Sequence, residues 1–266
     1  MQGLLKLFTD VVGSRSLIWQ LAKNDFRSRY SGSFFGIFWG FAQPIFTVLL
    51  FWFVFQVGFR SAPVEKVPFI CWMTAGLVPW FYFQDAWGNA SNCFFDYSFL
   101  VKKVVFKTSI LPLVKIISSL FVHSILLLLL LLIYYIYGIH PNVIFLQLLY
   151  YTFCIVVLAL AISFITSTIA PFFRDITQIV NIVLQFGMWL TPIMWSYKMI
   201  PKNMEGIFRI NPMYYVVQGY RDTLINGTWF WQRPVDAFIF WGITLTLFII
   251  GASLYKKLKP HFADVL

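Results

Sequence analysis

Long uncharged segments recur through the sequence, separated by short segments that hold most of the charged residues. Each uncharged segment is long enough, as a helix, to cross a hydrocarbon core of about 30 Å. Continuous apolar segments favour helices, because a spanning helix satisfies its own backbone hydrogen bonds. We therefore predict an all-α membrane protein with six transmembrane helices. The predicted spans are 34–58, 69–89, 112–137, 143–170, 176–196 and 237–255.

Three of the intervening segments are neither apolar enough to span nor polar enough to be free loops. Residues 1–33 and 91–108 set their cations among large apolar side chains, which is typical of helices that lie in the membrane surface. We predict an N-terminal amphipathic interface helix in the first and a second surface helix in the other. Residues 197–236 are aromatic but interrupted by three prolines, which predicts short re-entrant or interfacial helices before the last span.

Composition and charge support a membrane protein and set its orientation. The 266 residues are 60% hydrophobic and 11% charged, whereas a soluble domain is about a quarter charged. The net charge of +10 does not indicate nucleic-acid binding, since cations that flank spans follow the positive-inside rule and contact anionic lipid. Five, three, one and three cations lie on the side of the termini, against two, none and five on the other side. Because short loops count most, this balance predicts cytoplasmic N- and C-termini.

The sequence lacks the motifs of an enzyme or an independently powered carrier. No GxxxxGK[ST] phosphate loop, GxSxG, HExxH or Cys/His cluster occurs, and no metal site is expected. Asp85 is the single carboxylate placed inside a predicted span, so an ion-coupled carrier is not favoured. Asp85 is either a functional acid or a headgroup-level partner of a Lys or Arg. His123 is expected to be a helix-packing hydrogen-bond partner. We therefore expect a conduit whose energy comes from another subunit.

Aromatic side chains are concentrated in the first two spans. Aromatic faces offer flat, partly polar surfaces, which suit the C–H faces of sugar rings in a channel. The alternative is an interfacial aromatic belt with lipid-facing Phe residues. The candidate channel-lining aromatics are Phe38, Trp39, Phe46, Trp52, Trp80, Tyr82 and Trp189.

Four stretches, in order, carry a resemblance to a known family. They are LAKNDFRSRYSGSFFGIFWGFAQPIF (21–46), GLVPWFYFQDAW (76–87), FRDITQIVNIVLQFGMWLTPIMWS (173–196) and INPMYYVVQGYRDTLING (210–227). Together with the FADVL ending, they resemble the membrane subunits of ABC transporters that export polysaccharides, namely the permeases for O-antigen, capsular polysaccharide and teichoic acid.

The resemblance implies a single permease domain over 1–266 that works in an assembly. Two copies would form the channel, with the first and fifth spans at the dimer interface. Two copies of a P-loop ATPase subunit would bind Mg-ATP, so this chain would hold no cofactor of its own. The cargo would be an undecaprenyl-diphosphate-linked polysaccharide, moved across the bacterial inner (plasma) membrane. No nucleic-acid partner is expected.

The resemblance also implies roles for particular segments. The interface helix and a coupling helix at about 91–108 would contact the ATPase, and 197–236 would form the external gate ahead of the last span and cytoplasmic tail (237–266). The candidate cytoplasmic contacts are Lys23, Arg27, Arg29, Asp96, Lys102, Lys103 and Lys107. Lipid-headgroup anchoring is the alternative role for these cations. The candidate gate residues are Asn211, Pro212, Tyr214, Tyr220 and Arg221.

Two other functions stay open at this point. An ABC permease for another cargo would share this architecture, but the nine-residue loop between the first two spans leaves no room for a large external domain. A membrane-embedded transferase of lipid-linked sugars would need paired acids or an acid–His constellation, and the acids in this sequence are isolated. The tail KKLKPHFADVL favours O-antigen over capsule or teichoic acid.

Overall fold

The structure is a computed structural model in which residues 10–31, 34–60, 62–64, 67–103, 106–201 and 204–266 are described. The described part is helical apart from its loops and an isolated antiparallel bridge between Val64 and Val67. The helices are α1 (Arg15–Tyr30), α2 (Phe38–Trp52), α3 (Phe69–Ser91), α4 (Cys93–Asp96), α5 (Ser98–Val101), α6 (Leu111–Ile136), α7 (Gln147–Ile169), α8 (Ile176–Leu190), α9 (Glu205–Arg209), α10 (Pro212–Arg221), α11 (Pro234–Leu258) and α12 (Phe262–Val265). Helices α2 and α10 continue as π-helical turns over Phe53–Gly58 and Asp222–Asn226.

Four helical segments among the described residues are long and apolar enough to cross a membrane. They are Phe38–Gly58, Thr108–Ile136, Val143–Ile169 and Pro234–His261. These segments correspond to the first, third, fourth and sixth predicted spans. Helix α3 has 23 residues but a more polar composition, and α8 is apolar but shorter.

Helix α3 is the centre of the bundle. It packs against α6, α7, α8 and α10, and most of its side chains are buried from Phe69 to Ser91. Alanines on α3 allow the neighbouring helices to approach, while Trp72, Trp80 and Tyr82 fill the space between them. In a membrane, close packing of this kind is what holds helices together, because lipid tails are as apolar as the side chains.

Small residues in α7 form a close contact with α11. The side chains of Ala161 and Ser163 are fully buried, and an added Cβ on Gly251 would lie 2.8 Å from the Cβ of Phe164. These small side chains therefore allow the two helices to approach closely.

Helix α1 lies against the beginning of α6. Ile18 and Ala22 are buried with Leu113 and Val114 of α6, and the ring of Phe26 lies 5.0 Å from that of Phe121. The predicted interface segment 1–33 therefore contains a helix with one packed face. Its residues 1–9 and 32–33 lie outside the described residues.

Two predicted elements differ from the structure. The fifth span was predicted to run to residue 196, but α8 ends at Leu190 because Thr191, which precedes Pro192, takes an extended conformation that the following proline favours. The predicted surface helix 91–108 was also wrong as one continuous helix. Its beginning forms the short helices α4 and α5, and the backbone of Tyr97 between them is not helical.

Candidate functional site

A polar cavity of about 540 Å³ lies between α2, α3, α6 and α8. Its walls combine amide, hydroxyl and carboxylate groups with aromatic and aliphatic side chains. The polar residues that line it are Gln43, Thr47, Gln84, Asp85, Asn89, Asn92, Ser119, His123, Thr177 and Asn181.

Some of these polar groups contact neighbouring side chains, and others have no hydrogen-bond partner among the described residues. The Thr177 hydroxyl donates to Oδ1 of Asn92 at 2.9 Å, which joins α8 to the end of α3. The His123 ring stacks on Tyr82 with centroids 4.5 Å apart. Within the described residues, Ser119 Oγ and His123 Nδ1 have no hydrogen-bond partner. Both atoms are buried, a setting in which polar atoms normally find partners.

A network of five charged side chains lies beside the cavity. Its centre is the buried carboxylate of Asp25 on α1, which accepts hydrogen bonds from Lys115 Nζ at 2.6 Å and Arg29 Nη2 at 2.9 Å. Arg29 also reaches Asp85 on α3 at 3.1 Å, and Lys115 reaches Asp96 on α4 at 2.7 Å. This charged network, consisting of Asp25, Arg29, Asp85, Asp96 and Lys115, therefore joins α1, α3, α4 and α6.

The electrostatics of the charged network favour the ionised forms of Asp25 and Arg29. Burial alone would raise the pKa of the Asp25 carboxyl, but the hydrogen bond from Lys115 and the charge of Arg29 hold that pKa below its ordinary value. Burial would lower the pKa of the Arg29 guanidinium, yet Asp85 and Asp25 raise it. The hydroxyl of Tyr97 adds a further bond to Asp25 at 3.1 Å.

The structure places the predicted acids and cations in different surroundings. Asp85 pairs with a cation, as the headgroup-level interpretation expected, and it also faces the polar cavity. Lys107 pairs with Asp10 at 2.9 Å. The remaining candidate cations, Lys23, Arg27, Lys102 and Lys103, are exposed. The sequence analysis missed Asp25 and Lys115.

The predicted channel aromatics occupy different environments. Tyr82 lines the polar cavity together with Phe51 and Phe81, which the sequence analysis did not single out. Trp80 is buried in the core, and its ring lies 2.9 Å from where a Cβ on Gly187 would be. Trp52 is half-buried, and the others are exposed in the single chain, namely Phe38, Trp39, Phe46 and Trp189. Their role as channel lining stays a prediction.

The opposite end of the bundle is held by Arg221, which is 1% exposed. Its Nη1 and Nη2 donate to the carbonyl oxygens of Pro192 and Ile193 at 2.7 and 2.8 Å. Its guanidinium carbon lies 3.5 Å from the centre of the Trp72 ring. Arg221 thus ties α10 to α3 and to the carbonyl groups that follow the end of α8.

The other candidate gate residues build the same region. Asn211 caps α10 through its Oδ1, which accepts from Met213 N at 3.0 Å, and Pro212 takes the first helical position, where proline is favoured. The Tyr220 hydroxyl lies 3.0 Å from Thr152 Oγ1, and Tyr214 packs against Tyr197. His123 lies 3.3 Å from the Tyr220 hydroxyl, in the helix-packing role expected for it.

The described residues contain no group of three or more His, Cys, Asp or Glu side chains placed to hold a metal ion.

Comparison with known proteins gives one consistent result. The chain is 27% identical over 248 residues to an O-antigen export system permease protein RfbA of Klebsiella pneumoniae, covering 92% of this chain and 93% of the relative. It is 24% identical to the protein of the same description from Myxococcus xanthus, covering 98% and 99%. Residues 16–225 match the family described as ABC-2 type transporter. The resemblance found in the sequence motifs is confirmed, and the chain belongs to the ABC-2 type transporter family.

Proposed function

We propose that this chain is the transmembrane subunit of an ATP-driven exporter that moves an undecaprenyl-diphosphate-linked polysaccharide, specifically O-antigen, across the bacterial inner membrane. The observation that carries the proposal is the similarity to O-antigen export permeases over more than nine-tenths of the chain. Family membership makes the chain a multi-pass membrane transport subunit rather than an enzyme, and it implies an ATPase partner.

The proposed topology has six spans, with both termini cytoplasmic. Helix α3 has 23 residues, which corresponds to about 34 Å of helix, and its burial explains why it tolerates more polar residues than a lipid-facing span. Helix α8 and the residues after it would form the fifth span. The chain forms one permease domain, with α1 and residues 91–108 at the cytoplasmic surface and residues 197–236 as the external gate.

The proposed assembly contains two copies of this chain and two copies of a P-loop ATPase that binds Mg-ATP. The surfaces of α2 and α8 support the proposal of a homodimer, because both helices present broad apolar faces that the single chain leaves uncovered. Lipid or a second copy must cover these faces. The exposed cations of α1 and of the segment after α5 would contact the ATPase or lipid diphosphate groups.

The polar cavity would form part of the path of the sugar chain. Amide and hydroxyl groups can exchange hydrogen bonds with sugar hydroxyls, and Tyr82, Phe81 and Phe51 supply aromatic walls. The charged network would couple ATPase movement to this path, because it joins the surface segments α1 and α4 to the cavity wall at Asp85.

Co-purification with the products of neighbouring genes tests the proposal. We expect a P-loop ATPase to be retained in mild detergent at one copy for each copy of this chain. The double variant Lys102→Glu/Lys103→Glu should weaken that retention, whereas the control Lys256→Glu/Lys257→Glu, also exposed, should not. Retention without O-antigen export would favour capsular polysaccharide, teichoic acid or another lipid-like cargo. A chain that retains no ATPase and alone modifies a lipid-linked sugar would be a transferase.

A further inference from the structure

A second polar pocket, of about 580 Å³, lies at the opposite end of the bundle from the charged network. It is enclosed by the beginning of α3, the residues after α8, helices α9 and α10, and the residue before α11. We call it the outer pocket. Its size falls in the range of sites that bind small ligands, about 300–1,000 Å³.

The outer pocket carries an excess of positive charge. Three guanidinium groups line it, those of Arg209, Arg221 and Arg233, and its described lining includes no acidic residue. Two carboxylates lie behind the lining. Asp222 is 2.6 Å from Arg233, and Asp236 is 3.8 Å from Arg233 and 3.9 Å from Arg209. Among the described residues, this group therefore holds three cations and two carboxylates.

Arg209 is the guanidinium best placed to meet a guest. Its side chain is 41% exposed, and its 3.9 Å separation from Asp236 is too long for a hydrogen bond. It shares a side-chain hydrogen bond with Tyr197, and the other N–H groups of its five-donor guanidinium can meet a guest. The planar fork of arginine matches a carboxylate or phosphate with two parallel bonds. Arg221 and Arg233 are engaged with protein groups, so they contribute their charge and the shape of the wall.

The remaining lining suits a sugar ring. Tyr197 and Tyr214 present an aromatic pair with centroids 4.8 Å apart, and Gln218 and Asn226 offer amide donors and acceptors. A ring with a flat C–H face, several hydroxyls and one negative group would use each of these features. A neutral sugar would leave the excess charge unused.

We propose that the outer pocket binds an anionic sugar unit of the exported chain, one that bears a carboxylate or phosphate group. This inference rests on the proposed function as a polysaccharide exporter and adds a charged subsite on the exit side. Anionic phospholipid headgroups carry the same phosphate chemistry and are distinguished by the experiment.

The test measures tetragalacturonate binding to the intact complex in phosphatidylcholine nanodiscs, with neutral maltotetraose as the comparison. We expect tetragalacturonate to bind and maltotetraose not to bind. Arg209→Gln should weaken tetragalacturonate binding about tenfold, the effect of one lost charged hydrogen bond. The matched control is Arg60→Gln, which removes the same charge at the same end of the bundle but outside the outer pocket.

Three outcomes would overturn the inference. The first is equal binding of the acidic and neutral oligosaccharides. The second is an equal effect, or no effect, of Arg209→Gln and Arg60→Gln. The third is loss of tetragalacturonate binding when phosphatidylglycerol is added to the nanodiscs, which would assign the outer pocket to lipid phosphate. If the complex still hydrolyses ATP and exports polymer in these cases, the proposed function stands and this inference alone fails.

Discussion

Asp25 is buried at 4% exposure and carries a negative charge on a helix that lies against the bundle. A buried carboxylate is tolerated only where cations and hydrogen-bond donors replace its water. Lys115, Arg29 and Tyr97 do so here. We expect Asp25 to hold α1 in position for whatever contacts its exposed face.

Replacement of Asp25 by Asn should destabilise the protein by about 3 kcal/mol, because it leaves the buried cation of Lys115 with one carboxylate fewer. Asp96 and Asp85 still pair with the two cations, which keeps the loss at the lower end of the expected range. Thermal unfolding in detergent measures the loss. The control is Asp175→Asn, a substitution at an exposed position, which should change the unfolding temperature little.

Wild type and Asp25→Asn should also differ in how their stability depends on pH. The folded-state pKa of Asp25 is lowered, so its ionised form contributes stability that is complete above the ordinary carboxyl pKa of about 4. That contribution is lost as the pH falls through the lower folded-state value. The difference in unfolding temperature between wild type and Asp25→Asn should therefore be constant near neutral pH and shrink below about pH 4. A difference that grows on acidification would contradict this assignment.

Arg221 is the matching anchor at the other end of α3. Replacing it by Met would leave the carbonyl oxygens of Pro192 and Ile193 without the charged donors that they have now. We expect a loss of about 3 kcal/mol, since each hydrogen bond to a charged group is worth about 1.5–3 kcal/mol. The fraction of the protein that stays monodisperse after heating reports this loss of stability. Arg60→Met is the exposed control, and an equal loss in both variants would rule out the anchoring role.

Asp85 and Lys115 differ in how much their sequence context reveals. Asp85 stands near the end of an apolar segment, so pairing with a cation could be predicted from sequence, although Arg29 as the partner could not. Lys115 could have been predicted as a functional or paired residue, because it is a cation within the apolar segment 112–137. Charged side chains inside a span are energetically costly and are normally paired. Its partner Asp25 lies 90 positions away, and no local pattern connects residues at that distance.

The close contact between α7 and α11 is possible because Gly251 has no Cβ atom. A Cβ on Gly251 would meet the Cβ of Phe164 at 2.8 Å and the carbonyl oxygen of Ala161 at 3.2 Å, neither of which is the end of a flexible side chain. Gly251→Ala should therefore force the helices apart and cost about 1–3 kcal/mol.

Gly242 on the same helix provides the control for this substitution. A Cβ there would meet nothing within 4 Å, so Gly242→Ala should be neutral or raise stability by up to about 1 kcal/mol through helix propensity. Thermal unfolding of both variants under identical conditions separates packing from propensity. A stable Gly251→Ala protein would show that the two helices can separate without cost.

The bounds of two helices agree closely with the apolar segments that were predicted for them. Helix α3 was predicted at 69–89 and covers Phe69–Ser91, and α6 was predicted at 112–137 and covers Leu111–Ile136. The end of α8 was misplaced because its apolar composition continues past Pro192, while the backbone does not remain helical there. At this position the residue before Pro192 leaves the helical conformation, so the helix ends before the apolar segment does.

The two polar spaces lie toward opposite ends of α3. Tyr82 and Asp85 reach the polar cavity, and Trp72 reaches the outer pocket. Between them Gly76 is packed closely, since a Cβ there would lie 3.2 Å from both Arg221 Nη2 and the Ile193 side chain. Close packing at Gly76 therefore separates the two polar spaces along α3.

If the polar cavity is part of the export path, filling it should stop export without dismantling the complex. Asn181 lines the cavity on α8, and Gln185, one turn further along, does not. Asn181→Trp should lower surface O-antigen at least about tenfold, since an indole ring at this position would occupy part of the path of the sugar chain. Gln185→Trp places the same ring on the same helix and should export normally.

Complementation of a strain that lacks the permease measures export, and ATPase co-purification verifies assembly. Equal export by the two variants, with the complex intact, would mean that the polymer takes another route through the assembly.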